Sequence, residues 1–502
     1  ADASTHTITM ADGATDQFRS TFLRLTGGGQ ACTVTLAPNT LSHTWIMRNE
    51  TAAALTLTQG SGANVTIAAG QTKIVATDGG GSGAIVYQMD DLELAGNLAV
   101  GGELSTPSAG TSNVRIGVNA GDSIASGGNY NVVVGDEAGT AITTGDSNVF
   151  VGYQSGDATT TADSNVGIGR GTLTTNILSD HNTAIGNGAL FTHNQASSTD
   201  SYNTAVGSNA GAAVTTGVQN TLIGGLAGDA ITTANNNTAL GYSALGLNTT
   251  GAGNTAIGRT ALENNTTASD NVAVGRATLS QNTTGANNTA VGSLALLVNT
   301  TASNNVAVGL STLQANTTGG QNVAVGASSL YTNTTGASNT AVGHQVLASN
   351  TTASNNTGIG FEALNANTTG RDNTALGFSA GVTNTTGLEN TAIGMYALRF
   401  NTTGDTNTAV GLQALHRNTT ASSNTAVGRN AMEANTTGAL NSALGSSALA
   451  NNTTGGNNVA MGFATMQLNT TASNNVAIGY AAMNANTTGA SNVAVGRSAL
   501  GA

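Results

Sequence analysis

Small and aliphatic residues recur along this chain with a period of 17 residues through nearly four-fifths of its length. The phrase Asn-x-Ala-Val/Ile-Gly runs in strict register from Asn254 to Asn492. Towards the N terminus it reaches Asn113, with one extra residue before Asn131 and four extra before Asn203. These 23 units, the last of them incomplete, predict one supersecondary unit stacked on itself as a solenoid.

Each unit can be written by position, starting with Asn at position 1. Position 2 is Thr or Val, 3 is Ala, 4 is Val, Ile or Leu, 5 is Gly, 8 is usually Ala, 9 is usually Leu, and 12 to 14 are usually Asn-Thr-Thr. Alternation over positions 2 to 4 predicts a short strand, and hence a parallel β-solenoid or β-roll. We expect positions 2 and 4 to point into the core, as Val306 and Val308 would, and Gly at position 5 to turn the chain with a positive φ. The variable positions 6, 7, 10 and 11 are expected outside.

Positions 9 and 12 vary together. Several early units replace Leu at position 9 by Gly, and in those units position 12 becomes Ile or Val. The pairs are Gly121 with Ile124, Gly139 with Ile142, Gly211 with Val214 and Gly228 with Ile231. Gly156 with Thr159 is a partial case, and Gly381 with Asn384 breaks the rule. Because protein interiors tolerate voids poorly, we infer that the two positions fill one volume inside a closed coil.

The predicted core is thin, with roughly three aliphatic side chains per coil, and does not by itself offset an ordering cost of about 1–2 kcal/mol per residue. Alanines at positions 3 and 8 would let a second surface approach closely. We therefore expect chains to pack side by side as a homotrimer. A rise of about 4.8 Å per coil predicts a rod of roughly 105 Å.

Residues 1–89 follow another pattern and contain the only Trp, Lys and Cys, namely Trp45, Lys73 and Cys32. Seven short apolar runs, at 21–25, 32–36, 44–47, 55–58, 65–67, 73–76 and 84–87, are bounded by Gly, Asn or Asp. This spacing predicts a β-sandwich-like attachment domain. Residues 90–112 are predicted to be a short β connector, and 113–502 the solenoid.

Charge and composition narrow the function. The net charge is −12, and the repeat region has nine Arg and no Lys. No basic stripe exists to follow phosphates, which argues against nucleic acid as a partner. A single Cys cannot form an intrachain disulfide. The chain also lacks a run of 18 apolar residues, so no membrane insertion is expected.

The Asn-Thr-Thr phrase occurs in 15 units from Asn248 to Asn486 and matches an N-glycosylation acceptor. We favour instead a turn with stacked Asn amides, because sugars on every coil would crowd at about 4.8 Å spacing. The stacked Thr residues at positions 13 and 14 leave open an ice-ordering face.

Candidate metal ligands are few. Position 16 is Asp in three successive units, at Asp146, Asp163 and Asp180. Two interpretations stay open: a column of carboxylates that could hold Ca²⁺, or a solvated edge. His181 and His193 flank the unit with the four-residue insertion, where a solvated turn is favoured over a metal site. No metal or cofactor site is predicted.

Aromatic residues at position 6 are the candidate ligand contacts. They are Tyr153, Tyr242, Phe361, Phe378, Phe463 and Tyr480. Exposed rings of this kind contact glycans or other proteins, although scattered surface aromatics are also ordinary. No set of ligand-binding residues is assigned. No catalytic constellation emerges either, because paired carboxylates need a cleft that a regular rod does not offer, and we expect no enzymatic activity.

The phrase Asn254-Thr-Ala-Ile-Gly258 resembles the head repeats of trimeric autotransporter adhesins, which form trimers of parallel β-rolls. The fuller phrase, with Ala-Leu and Asn-Thr-Thr-Gly, is similar to repeats of phage tail-fibre proteins, and residues 1–112 resemble the virion-proximal part of such a fibre. The last unit stops at Ala502, which fits a longer parent protein or a trimmed fibre.

The resemblance implies a structural and adhesive fibre of a virion. Its N-terminal domain would contact other tail or baseplate proteins, and its rod would contact a host-surface glycan or protein. Two alternatives stay open. One is a bacterial trimeric adhesin at the cell surface, and the other, from a different class, is an ice-binding β-solenoid.

Overall fold

The fold is all-β, as predicted. The structure, a computed structural model, describes residues 4–10, 20–89 and 108–501, and these contain strands, turns and one short 3-10 turn at Gly81–Gly83 but no α-helix. The chain forms two compact units, Ala1–Leu104 and Ser105–Ala502. Most of the predicted connector, residues 90–107, lies outside the described residues.

The N-terminal unit consists of two four-stranded mixed sheets, ordered β1-β3-β5-β6 and β2-β4-β7-β8. The strands are β1 (Thr5–Thr9), β2 (Phe22–Leu25), β3 (Cys32–Ala37), β4 (Ser42–Asn49), β5 (Leu55–Thr58), β6 (Val65–Ile67), β7 (Thr72–Asp78) and β8 (Val86–Gln88). Each of the seven predicted runs overlaps a strand, whereas β1 was not predicted. Side chains from both sheets, among them Trp45, Leu57 and Val75, meet in one buried core.

The second unit is a solenoid in which each coil contributes one three-residue strand to a single parallel sheet of 23 strands. The strands are β9 (Val114–Ile116), β10 (Val132–Val134), β11 (Val149–Val151), β12 (Val166–Ile168), β14 (Thr183–Ile185), β16 (Thr204–Val206), β17 (Thr221–Ile223), β18 (Thr238–Leu240), β19 (Thr255–Ile257), β20 (Val272–Val274), β21 (Thr289–Val291), β22 (Val306–Val308), β23 (Val323–Val325), β24 (Thr340–Val342), β25 (Thr357–Ile359), β26 (Thr374–Leu376), β27 (Thr391–Ile393), β28 (Thr408–Val410), β29 (Thr425–Val427), β30 (Ser442–Leu444), β31 (Val459–Met461), β32 (Val476–Ile478) and β33 (Val493–Val495). Neighbours pair in register, position 2 with 2 and position 4 with 4, as Val306 pairs with Val323.

The four-residue insertion before Asn203 forms a local side sheet and leaves the main stack intact. Strand β13 (Ser179–Asp180) pairs in parallel with β15 (Thr199–Asp200). Strands β14 and β16, on either side of the insertion, still pair in register.

Hydrogen bonds between coils run around the whole perimeter of the coil. In the regular coils, backbone N–H groups at positions 2, 9, 11 and 13 donate to the next coil, and those at 5, 7 and 17 donate to the preceding one. For example, the Thr255 N–H donates to the Asn271 carbonyl over 2.8 Å. Each coil is thus held to its neighbours by turn segments as well as by strands, which satisfies backbone groups that burial would otherwise leave unpaired.

The prediction for the two strand faces is wrong. Ala307 at position 3 is fully buried, whereas Val306 and Val308 at positions 2 and 4 are partly exposed, and the same pattern holds along the sheet. The reason is that each coil is narrow. Leu313 at position 9 enters the interior opposite the strand and is also fully buried, which leaves room for only a methyl group at position 3.

The alanines at position 8 are inside as well, as Ala261 shows with no exposed surface. Alanines at positions 3 and 8 therefore form part of the core of their own chain and do not line a contact between chains. These alanines therefore give no support to side-by-side packing of chains.

The predicted coupling of positions 9 and 12 is confirmed. An ideal Cβ built on Gly228 would lie 2.8 Å from Cδ1 of Ile231 and 2.8 Å from Cδ2 of Leu222 at position 3, so both side chains occupy the space that Leu fills in other coils. The partial case of Gly156 is explained by Phe150, a position 3 residue whose Cζ would lie 2.5 Å from a Cβ on Gly156. Phe150 is fully buried and supplies the missing volume in place of a large residue at position 12.

Candidate interaction surfaces of the solenoid

The side chains at positions 2 and 4 form one surface, which we call the outer sheet face. Position 4 is Val, Ile, Leu or Met in all 23 coils, and position 2 is Val or Thr in every coil except at Ser442. No charged residue interrupts the two columns. Large side chains stand partly in solvent, for example Ile359 at 37 % and Leu376 at 45 % exposure.

The outer sheet face is long and uncharged, with an apolar column at position 4 beside a position 2 column in which 13 of the 23 residues are Thr or Ser. Coils about 4.8 Å apart and a strand of three residues, each about 3.3 Å long, give a ribbon of roughly 105 Å by 10 Å, on the order of 1,000 Å². The position 4 column takes about half of this area, which is comparable to the largest apolar patch of an ordinary monomer, about 300–600 Å², and such a patch is often functional. We therefore take this face as the principal candidate for contact with another macromolecule.

Asn side chains at position 1 form a continuous buried ladder inside the turns. The Oδ1 atom of Asn254 accepts hydrogen bonds from the backbone N–H and the Nδ2 of Asn271, at 3.0 and 3.3 Å. Nδ2 of Asn254 donates to the Ala268 carbonyl over 2.9 Å. Nδ2 of Asn305 lacks such a partner, but its Oδ1 still accepts the backbone N–H of Asn322 over 2.9 Å. Because neighbouring groups satisfy these buried amides along the column, it is a structural element and not a binding site.

Asn side chains at position 12 form a second ladder, which supports the turn interpretation of Asn-Thr-Thr. Nδ2 of Asn265 donates to Oδ1 of Asn248 over 2.8 Å and to the Ala268 carbonyl over 2.9 Å. In all coils with this phrase except that of Asn486, the Asn is buried. The acceptor amides are therefore inaccessible to a sugar-transferring enzyme once those coils have folded.

The two Thr columns differ in whether their hydroxyl groups are hydrogen-bonded to the next coil. At position 13, the Thr249 hydroxyl donates to the Thr266 carbonyl of the next coil over 3.0 Å, and the same bond recurs in the following coils. At position 14, Thr250 and its counterparts are exposed. Only one of the two columns considered for ice ordering therefore presents free hydroxyl groups.

The Asp column is occupied by hydrogen bonds between coils. Carboxylate oxygens of Asp146 and Asp163 accept backbone N–H groups from Asn129 and Asp146, both over 2.6 Å, and Asp180 does the same for Asp163 over 2.7 Å. Within residues 4–10, 20–89 and 108–501, no group of three or more His, Cys, Asp or Glu side chains is placed to hold a metal ion.

The two histidines around the insertion occupy unlike environments. His181 is exposed, contacts Asp200 over 3.1 Å and stacks on Tyr202. His193 takes position 12 in the core, is fully buried, and neither ring nitrogen has a hydrogen-bond partner among the described residues. Burial lowers the pKa of His193 to about 4.

All six predicted aromatic residues at position 6 are exposed, between 41 and 54 %. Some of them form ladders along the coils. His344, Phe361 and Phe378 stack with ring centroids 5.5 and 5.1 Å apart and planes within 9°. Phe463 stacks on Tyr480 at 5.5 Å. Stacked rings cover one another's faces and leave mainly their edges to solvent, so the ladders join coils more than they offer ring faces to a ligand.

A denser aromatic cluster continues this ladder. Tyr396 packs edge-on against Phe378 at 5.5 Å, and the Arg399 guanidinium lies over the rings of Tyr396 and Phe400, at 4.5 and 5.1 Å. His416 packs against Phe400 at 5.1 Å. Burial, followed by the positive charge of Arg399, lowers the pKa of His416. The contacts again lie within the chain and add to coil stacking.

No helix within the described part of the chain has the length and apolar character needed to cross a bilayer. No protein-family profile matches this sequence, and no curated protein or solved structure matches it either. The β-solenoid of tandem 17-residue repeats is therefore established by the chain's own pattern and structure.

Proposed function

We propose that this protein is a structural and adhesive virion fibre, in the manner of a phage tail fibre, which assembles as a homotrimer and contacts a host surface. The observation that carries the proposal is the uncharged outer sheet face, whose position 4 column is apolar along all 23 coils. An exposed face of this size favours association with a partner, because burial of apolar surface contributes about 25 cal/mol per Å² of favourable free energy.

A second copy of the same chain is the partner that suits this face best. The side chains of successive coils on this face repeat with the rise of a parallel β-stack, about 4.8 Å. Only a partner with the same rise can place its own side chains against them at every coil over the full length. The area on one chain, on the order of 1,000 Å², is close to the roughly 800 Å² per partner of a standard stable interface. Three-fold closure is proposed from the resemblance of the repeat phrase to trimeric adhesin heads.

The mechanism proposed is rigidity combined with multivalency. Hydrogen bonds around the whole perimeter and two buried Asn ladders hold each coil to the next, so the solenoid is expected to resist bending. Three parallel chains would present identical contact residues side by side, and linked weak contacts raise the effective concentration at a receptor. The N-terminal two-sheet unit is proposed to attach the fibre to other tail or baseplate proteins.

Immunoelectron microscopy of particles from the source organism tests this proposal. An antibody against residues 113–502 is expected to decorate fibres that project from virions, and adsorption of those virions to host cells should fall when the antibody is bound. Decoration of the bacterial envelope with no labelled virion would contradict the virion assignment and support the alternative of a bacterial trimeric surface adhesin.

An ice-binding solenoid is the second candidate, and the exposed Thr column at position 14 is the observation that favours it. An ice-ordering surface has to stay open to water, whereas the proposed fibre buries the outer sheet face. Thermal hysteresis in a solution of monomeric chain would support ice binding against the fibre. A trimeric chain without thermal hysteresis would support the fibre.

A further inference from the structure

One surface groove breaks the regularity of the solenoid. Position 7 carries a side chain in every coil except two successive ones, where it is Gly171 and Gly188. Both glycines are buried at the floor of a groove of about 560 Å³ that extends over five coils, from Gln154 to Asp229. The groove arises because two neighbouring side chains are missing from an otherwise continuous column.

The groove contains polar groups that the protein leaves unused. Exposed side chains of Arg170, Asn187 and Asn209 line it and make no hydrogen bond or ion pair with the residues that the structure describes. Asp229 also lines it, and its carboxylate accepts hydrogen bonds from the backbone at Asp229 and Ala230. Elsewhere in the solenoid, the amides of the Asn ladders are hydrogen-bonded within and between coils, with Nδ2 of Asn305 as an exception. Convergent polar groups that face solvent in a concave surface are a feature of ligand sites.

An aromatic ring completes the groove. Phe191 is 43 % exposed, and its ring lies over Gly171, where an added Cβ would come 3.5 Å from Cε2. Phe191 makes no ring stack within residues 4–10, 20–89 and 108–501, unlike Phe361 and Phe378 in the ladder. A free ring beside amides, a guanidinium and a carboxylate offers both apolar contact and hydrogen bonds.

We propose that this groove binds a neutral oligosaccharide of a few sugar rings, aligned along the stacking axis. The proposal deepens the adhesive role and rests on it, since it names the ligand class of the host contact. Sugar hydroxyls both donate and accept hydrogen bonds, which matches the amides of Asn187 and Asn209, the donor Arg170 and the acceptor Asp229. The pyranose C–H face suits the ring of Phe191.

Other ligand classes fit less well. A peptide that added a strand would need an open row of backbone groups, whereas the backbone beside the groove already bonds from coil to coil. Acidic polymers are disfavoured because Arg170 is the one cationic side chain of the groove and Asp229 opposes it. Burial also raises the pKa of Asp229, which accords with a partly enclosed carboxyl group.

The test is binding of the intact chain to an array of defined tri- to hexasaccharides of neutral hexoses and N-acetylhexosamines, printed beside uronic-acid oligosaccharides. The wild-type protein should bind neutral members. Gly171→Gln refills the column with a residue that position 7 already carries at Gln154, and Asn187→Ala removes one exposed amide. Each should weaken binding by about tenfold or more. The matched control Ser328→Gln, also at position 7 but far along the solenoid, should bind as the wild type does.

Absence of binding to every neutral oligosaccharide would overturn the proposal, as would a preference for uronic acids or undiminished binding by both groove variants. The fibre proposal is tested by a different measurement, the mass of the assembly. A wild-type protein that is trimeric and adsorbs to cells but binds no neutral oligosaccharide would refute the groove and leave the fibre standing.

Discussion

The Cδ1 methyl of Ile142 occupies the space that a side chain on Gly139 would need, because an ideal Cβ at Gly139 would lie 2.7 Å from it. Position 9 has a positive φ in every case, +56° at Gly139 and +52° at Leu313. Leu at this position fills the core at the cost of backbone strain. Gly relieves the strain, and the void is then filled from position 12 together with position 3, where Cγ1 of Val133 also lies 2.7 Å from the ideal Cβ.

Gly139→Leu and Gly381→Leu form a matched pair for testing this shared volume. Gly139→Leu should lower the midpoint of thermal unfolding, because overpacking beside Ile142 costs about 1–3 kcal/mol. Gly381 has Asn384 at position 12 and borders a small cavity of about 10 Å³, so Gly381→Leu should be neutral or stabilising by about 1 kcal/mol. Equal midpoint shifts for both variants, measured by circular dichroism, would contradict the shared volume.

Asn322→Ala should destabilise the solenoid strongly. The Oδ1 of Asn322 accepts the backbone N–H of Asn339 over 3.0 Å, and its Nδ2 donates to the Gly336 carbonyl over 2.9 Å. Each buried partner left unpaired costs about 1–3 kcal/mol. Thr335→Ala, at an exposed position 14 nearby, is the control and should change stability by less than about 0.5 kcal/mol. Similar denaturation curves for the two variants would show that the ladder contributes little.

His193 predicts a specific dependence of stability on pH. The pKa of the folded chain, about 4, lies below the ordinary value of 6.5, so the unfolded chain takes up a proton first as the pH falls. The contribution of His193 to the free energy of unfolding should be fully present above pH 6.5. It should decrease by about 1.4 kcal/mol per pH unit as the pH falls towards 4. His193→Asn introduces the residue usual at position 12 and should remove this contribution. Parallel stability curves for both proteins across this window would count against it.

Val308→Glu tests the outer sheet face. A carboxylate at position 4 would have to be desolvated in the middle of an apolar interface, which is strongly unfavourable. We expect the variant to remain a folded β-solenoid but to elute as a monomer in light scattering coupled to size exclusion. Leu310→Glu is the matched control, since Leu310 belongs to the same coil, is 57 % exposed and lies at position 6 outside that face. A trimeric Val308→Glu protein would exclude the face as the interface.

The repeat made the architecture predictable, but the orientation of its strand was not. A strict period with coupled positions 9 and 12 is sufficient to predict a closed, stacked coil. Alternation over Thr-Ala-Val allows either the Ala side chain or the Thr and Val side chains to face the core. The general preference of large aliphatic residues for protein cores favours the second orientation, which is wrong here. Position 2 does indicate the outward orientation. Val306 and Thr289 pair in register and differ in polarity, yet no other position changes to compensate, which is typical of a partly exposed site.

The groove and the aromatic ladders were predictable only in part. Exposure of position 6 follows from its variability, and stacking of Phe361 on Phe378 follows from the coil spacing. The groove depends on two glycines whose significance becomes visible only when position 7 is compared across all coils. His193 at position 12 could be located by the same comparison, although the loss of its hydrogen bonds required the three-dimensional packing.

The assembly state is the most direct test of the account. Sedimentation equilibrium of the intact chain, measured at several concentrations, is predicted to give three times the chain mass of 49.1 kDa. A mass of one chain at every concentration would contradict the proposed homotrimer and leave the outer sheet face without the partner assigned to it.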